Sequence, residues 1–209
     1  MKRRMIFCYP LVLLFILMGF ESGPNAVQVP KSLKITEPTK VLFPQNETAI
    51  RATLIAPPFL GTSYIGFKEA LAFKESQGDY FTVNTLGYLG KYQFGIGTLQ
   101  LMGVYNATRF LADPVLQEKV FYTNLSRNKW ILRRDLRRFV GTRMGGVVIT
   151  ESGVLAAAHL AGPGNVKKFL RSYGQVDSSD EYGSTIGEYM RKFSGYDVSH
   201  VQSKRNPRI

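Results

Sequence analysis

A carboxylate at the end of an apolar helix stripe is the clearest place for acid chemistry in this sequence. Phe67, Leu71 and Glu75 follow at steps of four, so on a helix they share one face. Glu75 then projects beside apolar neighbours at the helix C-terminal end, where the macrodipole also disfavours negative charge. Both placements penalise the ionised form, which is the condition a general acid needs. The plainer alternative is a glutamate that curls from the last turn into water.

Polar and aromatic residues follow closely. In Asn84-Thr85-Leu86-Gly87-Tyr88-Leu89-Gly90-Lys91-Tyr92-Gln93-Phe94-Gly95, glycines let backbone approach a ligand, and Tyr88, Tyr92 and Phe94 offer flat faces for sugar rings. Asn84 and Gln93 carry the paired donor and acceptor groups that hydroxyl and acetamido substituents require. A β-hairpin or turn with core aromatics is the competing reading. His159 lies between Ala156-Ala157-Ala158 and Leu160 near a helix end, either as a packed imidazole or as part of a cleft.

Glu75-Ser76, then Gly90-Lys91-Tyr92-Gln93, resemble the Glu-Ser and Gly-x-x-Gln motifs of the soluble lytic transglycosylases and related lysozyme-like peptidoglycan hydrolases. Ala158-His159-Leu160-Ala161-Gly162-Pro163-Gly164-Asn165-Val166 is similar to that family's third motif, Ala-Tyr-Asn-Ala-Gly-Pro-Gly-x-Val. The resemblance covers roughly residues 61–196. It implies Glu75 as the sole acid/base, with Ser76 and Gln93 as neighbours in the site; Asn84, Tyr92 and His159 complete the candidate substrate contacts. His159 and Leu160 depart from the family's Tyr-Asn pair. The family's late tyrosine is Tyr182, Tyr189 or Tyr196, and spacing does not choose among them.

Glycoside cleavage ordinarily uses two carboxylates. Asp79 is nearest in sequence, with Asp113, Glu118, Glu151 and Asp177 as further candidates. Without a facing carboxylate, the resemblance implies attack by the substrate's own N-acetyl group or 6-hydroxyl, giving a 1,6-anhydro product. Hydrolysis remains the other outcome, and a glycan-binding domain that does not cut is the alternative from a different class. No cofactor is implied. One cysteine, Cys8, and two histidines, His159 and His200, argue against a cysteine-rich or multi-histidine metal site.

The elements that must hold these groups read as helices between glycine-rich turns. Helices are predicted over 64–76 (capped by Thr62 or Ser63, stopped by Gly78), 115–124 (Asp113-Pro114) and 127–140 (Ser126 cap). Others are predicted over 151–161 (Thr150 cap, Gly162 stop), 165–172 and 185–194. The expected fold is all-α: a lysozyme-like α domain over 61–196, with room for a small β-hairpin or turn at the active-site loop.

Before it, Lys2-Arg3-Arg4 and the sixteen-residue apolar run Met5–Phe20 give the order of a signal peptide or an N-terminal membrane anchor over 1–23. Residues 24–60 hold six of the ten prolines, as an extended spacer would. Residues 197–209 read as a frayed basic tail. The body is then expected outside the cytoplasm, periplasmic or extracellular, tethered to the membrane if the apolar segment stays on. The net charge of +12 points to an anionic partner. Export selects peptidoglycan over nucleic acid, for which no binding motif is present. The basic residues Arg127, Lys129, Arg133, Arg134, Arg137, Arg138 and Arg143 read as a solvated helix face relieved only by Asp135.

Overall fold

The computed structural model describes residues 60–209; the apolar N-terminal segment and the Pro-rich spacer up to residue 59 lie outside the described residues. The described chain is mainly helical, with one two-stranded sheet. Among the described residues no helix is long and apolar enough to cross a membrane.

Helix α1 (Tyr64–Ser76) begins where the Ser63 hydroxyl accepts from the Gly66 N–H, and buries Phe67, Leu71 and Ala72. Its stop differs by one residue from expectation. Gln77 takes the left-handed conformation at φ 58°, and the Gly78 N–H bonds back to the Ala72 carbonyl. Two short helices not expected from the sequence, α2 (Ile96–Leu101) and α3 (Ala107–Ala112), follow the loop. Both are too short to show an apolar period, although Asn106 caps α3 through its side chain.

Helix α4 (Pro114–Phe139) is one continuous rod of 26 residues, capped by Asp113 with Pro114 in its first turn. This corrects the expected pair of helices divided at Ser126. Ser126 is 1% exposed inside the rod, flanked by buried Leu125 and Asn128. Its cap propensity is a weak local preference, and burial of the α4 face against the core overrides it.

A hairpin of β1 (Arg143–Met144) and β2 (Val147–Val148) turns on Gly145-Gly146, both at positive φ. Two such residues suit the two-residue hairpin turn. Helix α5 (Glu151–Arg171) starts at the Thr150 cap and kinks at Gly162, φ 77° and ψ 155°. The break expected at Gly162 is therefore real, with helix resuming at once behind Pro163. Helix α6 (Ile186–Lys192) has a full capping box between Thr185 and Glu188. Residues Val154 to Ala158 of α5 are buried along their whole length, making this helix the centre of the core.

The C-terminal segment is docked rather than frayed. Val198 and Val201 are buried, Lys204 N–H bonds to the Ser126 carbonyl and Ile209 N–H to the Met102 carbonyl. Just before the basic stretch 203–208, these two valines placed three apart are enough to seat the segment on the body.

Candidate active site

A cleft of about 380 Å³ opens between the loop after α1, the middle of α4, the kink of α5 and the loop before α6. That volume is in the range of small-molecule sites. Glu75, Asn84, Gln93 and His159 all line it; Ser76 and Tyr92 do not.

Glu75 reaches the cleft because Leu71, one turn earlier, is fully buried and fixes the rotation of α1. The Tyr189 hydroxyl donates to Glu75 Oε1 at 2.8 Å. Burial, then the charge of Glu75, push the Tyr189 phenol well above its usual range, so it stays a donor. Of the three late tyrosines left open by spacing, Tyr189 holds the carboxylate. Tyr182 lines the rim, where its hydroxyl lies 3.1 Å from that of Thr85. Tyr196 packs on Phe67.

Gly90 to Gln93 form a tight turn whose geometry the sequence dictates. A Cβ at Gly90 would lie 2.2 Å from Gln117 Oε1, so no larger residue fits there without displacing that side chain. Gln117, fully buried on α4, accepts from the Lys91 N–H and donates to the Tyr80 carbonyl. Gln93 closes the turn in the left-handed region at φ 49°, a conformation uncommon outside glycine and frequent at sites under functional constraint. Its Nε2 donates to the Gly90 carbonyl, and its Oε1 is buried without a partner.

The same turn corrects two expectations. Tyr92 is 0% exposed and stacks on Phe121 at 3.9 Å, with its hydroxyl donating to Glu118. It is core, because its ring packs on Phe121 and its hydroxyl reaches Glu118 on α4, while Gln93 takes the cleft side. Ser76 donates to the Lys91 carbonyl at 2.8 Å and ties α1 to the turn instead of touching a ligand. Asn84 keeps its place in the cleft, but its Oδ1 accepts from the Leu86 and Tyr88 N–H groups and shapes the loop.

His159 is half-buried, with its ring edge-on to Phe94 and Phe121. Nε2 lies 2.8 Å from the Tyr92 carbonyl. A carbonyl only accepts, so Nε2 carries the proton and Nδ1 is left as an acceptor. Burial lowers the imidazole below its usual range, against the opposing charge of Glu75 and the bond to Tyr92, which keeps this neutral tautomer. Nδ1, like Gln93 Oε1, is buried with no partner among the described residues. Each such group costs about 1–3 kcal/mol unless a ligand or water donates to it. Two residues that line the cleft thus each keep a buried acceptor without a donor among the described residues.

The sequence-based candidates for a second carboxylate are all engaged elsewhere. Asp113 caps α4, Glu118 joins lysines and tyrosines, and Glu151 pairs with Lys129. Asp177 accepts from the Gly187 N–H and Asp79 from the Phe81 N–H. The additional acids lining the cleft are Asp180 and Glu181, and Asp180 Oδ1 already accepts from the Tyr182 and Ser184 N–H groups. Sequence reading missed these two, and also Asn124, Arg127 and Asn128 on α4. The last three recur at i, i+3 and i+4, a signal lost when the helix is divided at Ser126. Among the described residues there is no group of three or more metal-ligating side chains.

Fold and cleft together define a mainly helical domain whose concave site holds one tyrosine-bonded carboxylate among amides, unpaired acceptors and an exposed tyrosine face at Tyr88. Compared with models of protein families, with curated proteins and with solved structures, the chain matches none.

Proposed function

We propose that the domain cleaves glycan strands of peptidoglycan, the β-1,4 bond between N-acetylmuramic acid and N-acetylglucosamine, with Glu75 as the acid/base of a lysozyme-like or lytic transglycosylase site. The observation that carries this reading is the convergence of the three motif segments on one cleft. Glu75 comes from the first, Gln93 from the second and His159 from the third, although they stand 18 and 66 residues apart in sequence.

In this reading Glu75 protonates the leaving glycosidic oxygen and then serves as base. Tyr189 fixes which carboxyl oxygen faces the substrate, since Oε1 is held at 2.8 Å. Gln93 Oε1 and His159 Nδ1 accept from sugar hydroxyls or an acetamido N–H. The half-exposed Tyr88 ring offers a stacking face. With Asp180 Oδ1 bonded to backbone amides and Glu181 exposed, attack by the substrate's own acetamido or 6-hydroxyl group needs the fewest further groups. No metal or organic cofactor takes part. The same proposal places the body outside the cytoplasm, periplasmic or extracellular, released or held at the membrane by the N-terminal segment.

Mass spectrometry of purified peptidoglycan after digestion tests it. Anhydro-muramyl ends mean transglycosylation, and reducing ends mean hydrolysis. Retention on insoluble peptidoglycan with no soluble product would replace cleavage by the alternative, a glycan-binding envelope protein; neither retention nor product would remove the reading.

A further inference from the structure

Helix α4 contributes a polar face to the cleft that the acid chemistry of Glu75 does not use. Asn124, Arg127 and Asn128 all line it, and their spacing puts them on one side of the rod. The two amides are 5% and 2% exposed. Their single mutual contact is Asn128 Nδ2 donating to Asn124 Oδ1 at 3.5 Å. Asn124 Nδ2 and Asn128 Oδ1 therefore have no partner among the described residues.

Arg127 differs from Lys129 and Arg133, the other half-buried cations of its helix. Lys129 pairs with Glu151, and Arg133 lies 4.0 Å above the Trp130 ring and donates to a backbone carbonyl. The half-buried Arg127 makes no hydrogen bond and no ion pair among the described residues. The three acids of the cleft do not neutralise it: Glu75 is held by Tyr189, Asp180 by backbone amides, and Glu181 forms no ion pair among the described residues. A guanidinium placed in a concave polar site with its donors unspent matches a planar two-oxygen anion, which it can grip through two parallel bonds.

We propose that Arg127, backed by Asn124 and Asn128, forms a subsite for a carboxylate carried by the glycan. This rests on the peptidoglycan reading above and narrows it: the site prefers strands whose muramyl residues bear a carboxylate over neutral N-acetylglucosamine polymers. Two sources supply that group, the free lactyl carboxylate of a peptide-stripped strand and the carboxylates of an attached stem peptide.

The test measures binding of the full chain to three labelled oligosaccharides of equal length: peptide-bearing strands, amidase-stripped strands and a neutral chitin oligomer. The wild type should favour one or both carboxylate-bearing probes. Arg127→Gln should weaken those about 10- to 100-fold, the range of a hydrogen bond to a charged group, and leave chitin within about twofold. Arg127→Lys should retain part of the preference. The preference should also shrink as salt rises, a readout that needs no variant. Loss for stripped strands assigns the lactyl carboxylate, and loss only for peptide-bearing strands assigns the stem. Wild-type binding that Arg127→Gln leaves unchanged, or weakens equally for all three probes, overturns the subsite while the peptidoglycan reading stands. Binding of none of the three by the wild type overturns both.

Discussion

On one side of the Gly90–Gln93 turn, Lys91 Nζ donates to Glu69 at 2.8 Å, Glu118 at 2.9 Å and the Tyr80 hydroxyl at 3.1 Å, and Lys68 completes the group at 2.7 Å from Glu118. On the cleft side, Gln93 Oε1 and His159 Nδ1 have no partner among the described residues. Residues two apart in one turn thus follow opposite rules. A buried charge such as Lys91, 4% exposed, survives only with its partners in place, so that face anchors the turn to α1 and α4. Unspent acceptors cost stability and return nothing to the fold, which agrees with the ligand-holding role proposed for that face. The comparison separates what holds the turn from what the turn holds.

The largest break in that comparison should come from Lys91→Met. It removes the more buried of the two cations that Glu69 and Glu118 share, costing about 3–5 kcal/mol and roughly 10 °C or more in Tm. Calorimetry checks this; an unchanged Tm would mean that the network does not support the turn. The same network makes stability depend on acid. Burial alone would raise the Glu118 carboxyl, but bonds from Lys68, Tyr80 and Lys91 outweigh it and hold it at about 2 instead of 4.5. The folded state therefore gains its full benefit above about pH 4.5 and loses it as pH falls toward 2. That benefit is up to about 3 kcal/mol. Urea unfolding from pH 6 to pH 2 should show the decline, and Glu118→Gln should flatten it.

Effects on the cleft side should appear in function with little change in Tm. Tyr189→Phe removes the donor to Glu75 Oε1 and should lower kcat about tenfold, with stability falling by about 1 kcal/mol. Gln93→Ala should weaken binding and rate together, by a further few-fold each, as loss of a positioning contact does. Tyr182→Phe, at the exposed rim, should change either quantity by no more than about 0.5 kcal/mol.

The two faces were not equally legible in the sequence. Glu75 could be placed because Phe67 and Leu71 mark the rotation of α1, and the caps Ser63, Asp113 and Thr150 begin helices as their chemistry requires. Tyr92 and Gln93 could not be separated, since both are plausible ligand contacts and only the left-handed φ of Gln93 decides which one enters the cleft. The Lys91 network joins residues 22 and 27 positions away, and nothing local announces it. Arg127 was hidden among other arginines until α4 proved continuous through Ser126.

The central claim is that Glu75 performs chemistry while the turn beside it only positions. Glu75→Gln preserves volume and leaves an oxygen for the Tyr189 hydroxyl to bond, but it has no proton to deliver. Muropeptide release from purified peptidoglycan, compared between wild type and Glu75→Gln at equal folded concentration, tests this directly. The account predicts a fall of at least about 100-fold with an unchanged Tm and undiminished retention on the insoluble wall. Equal release by the two proteins would contradict it.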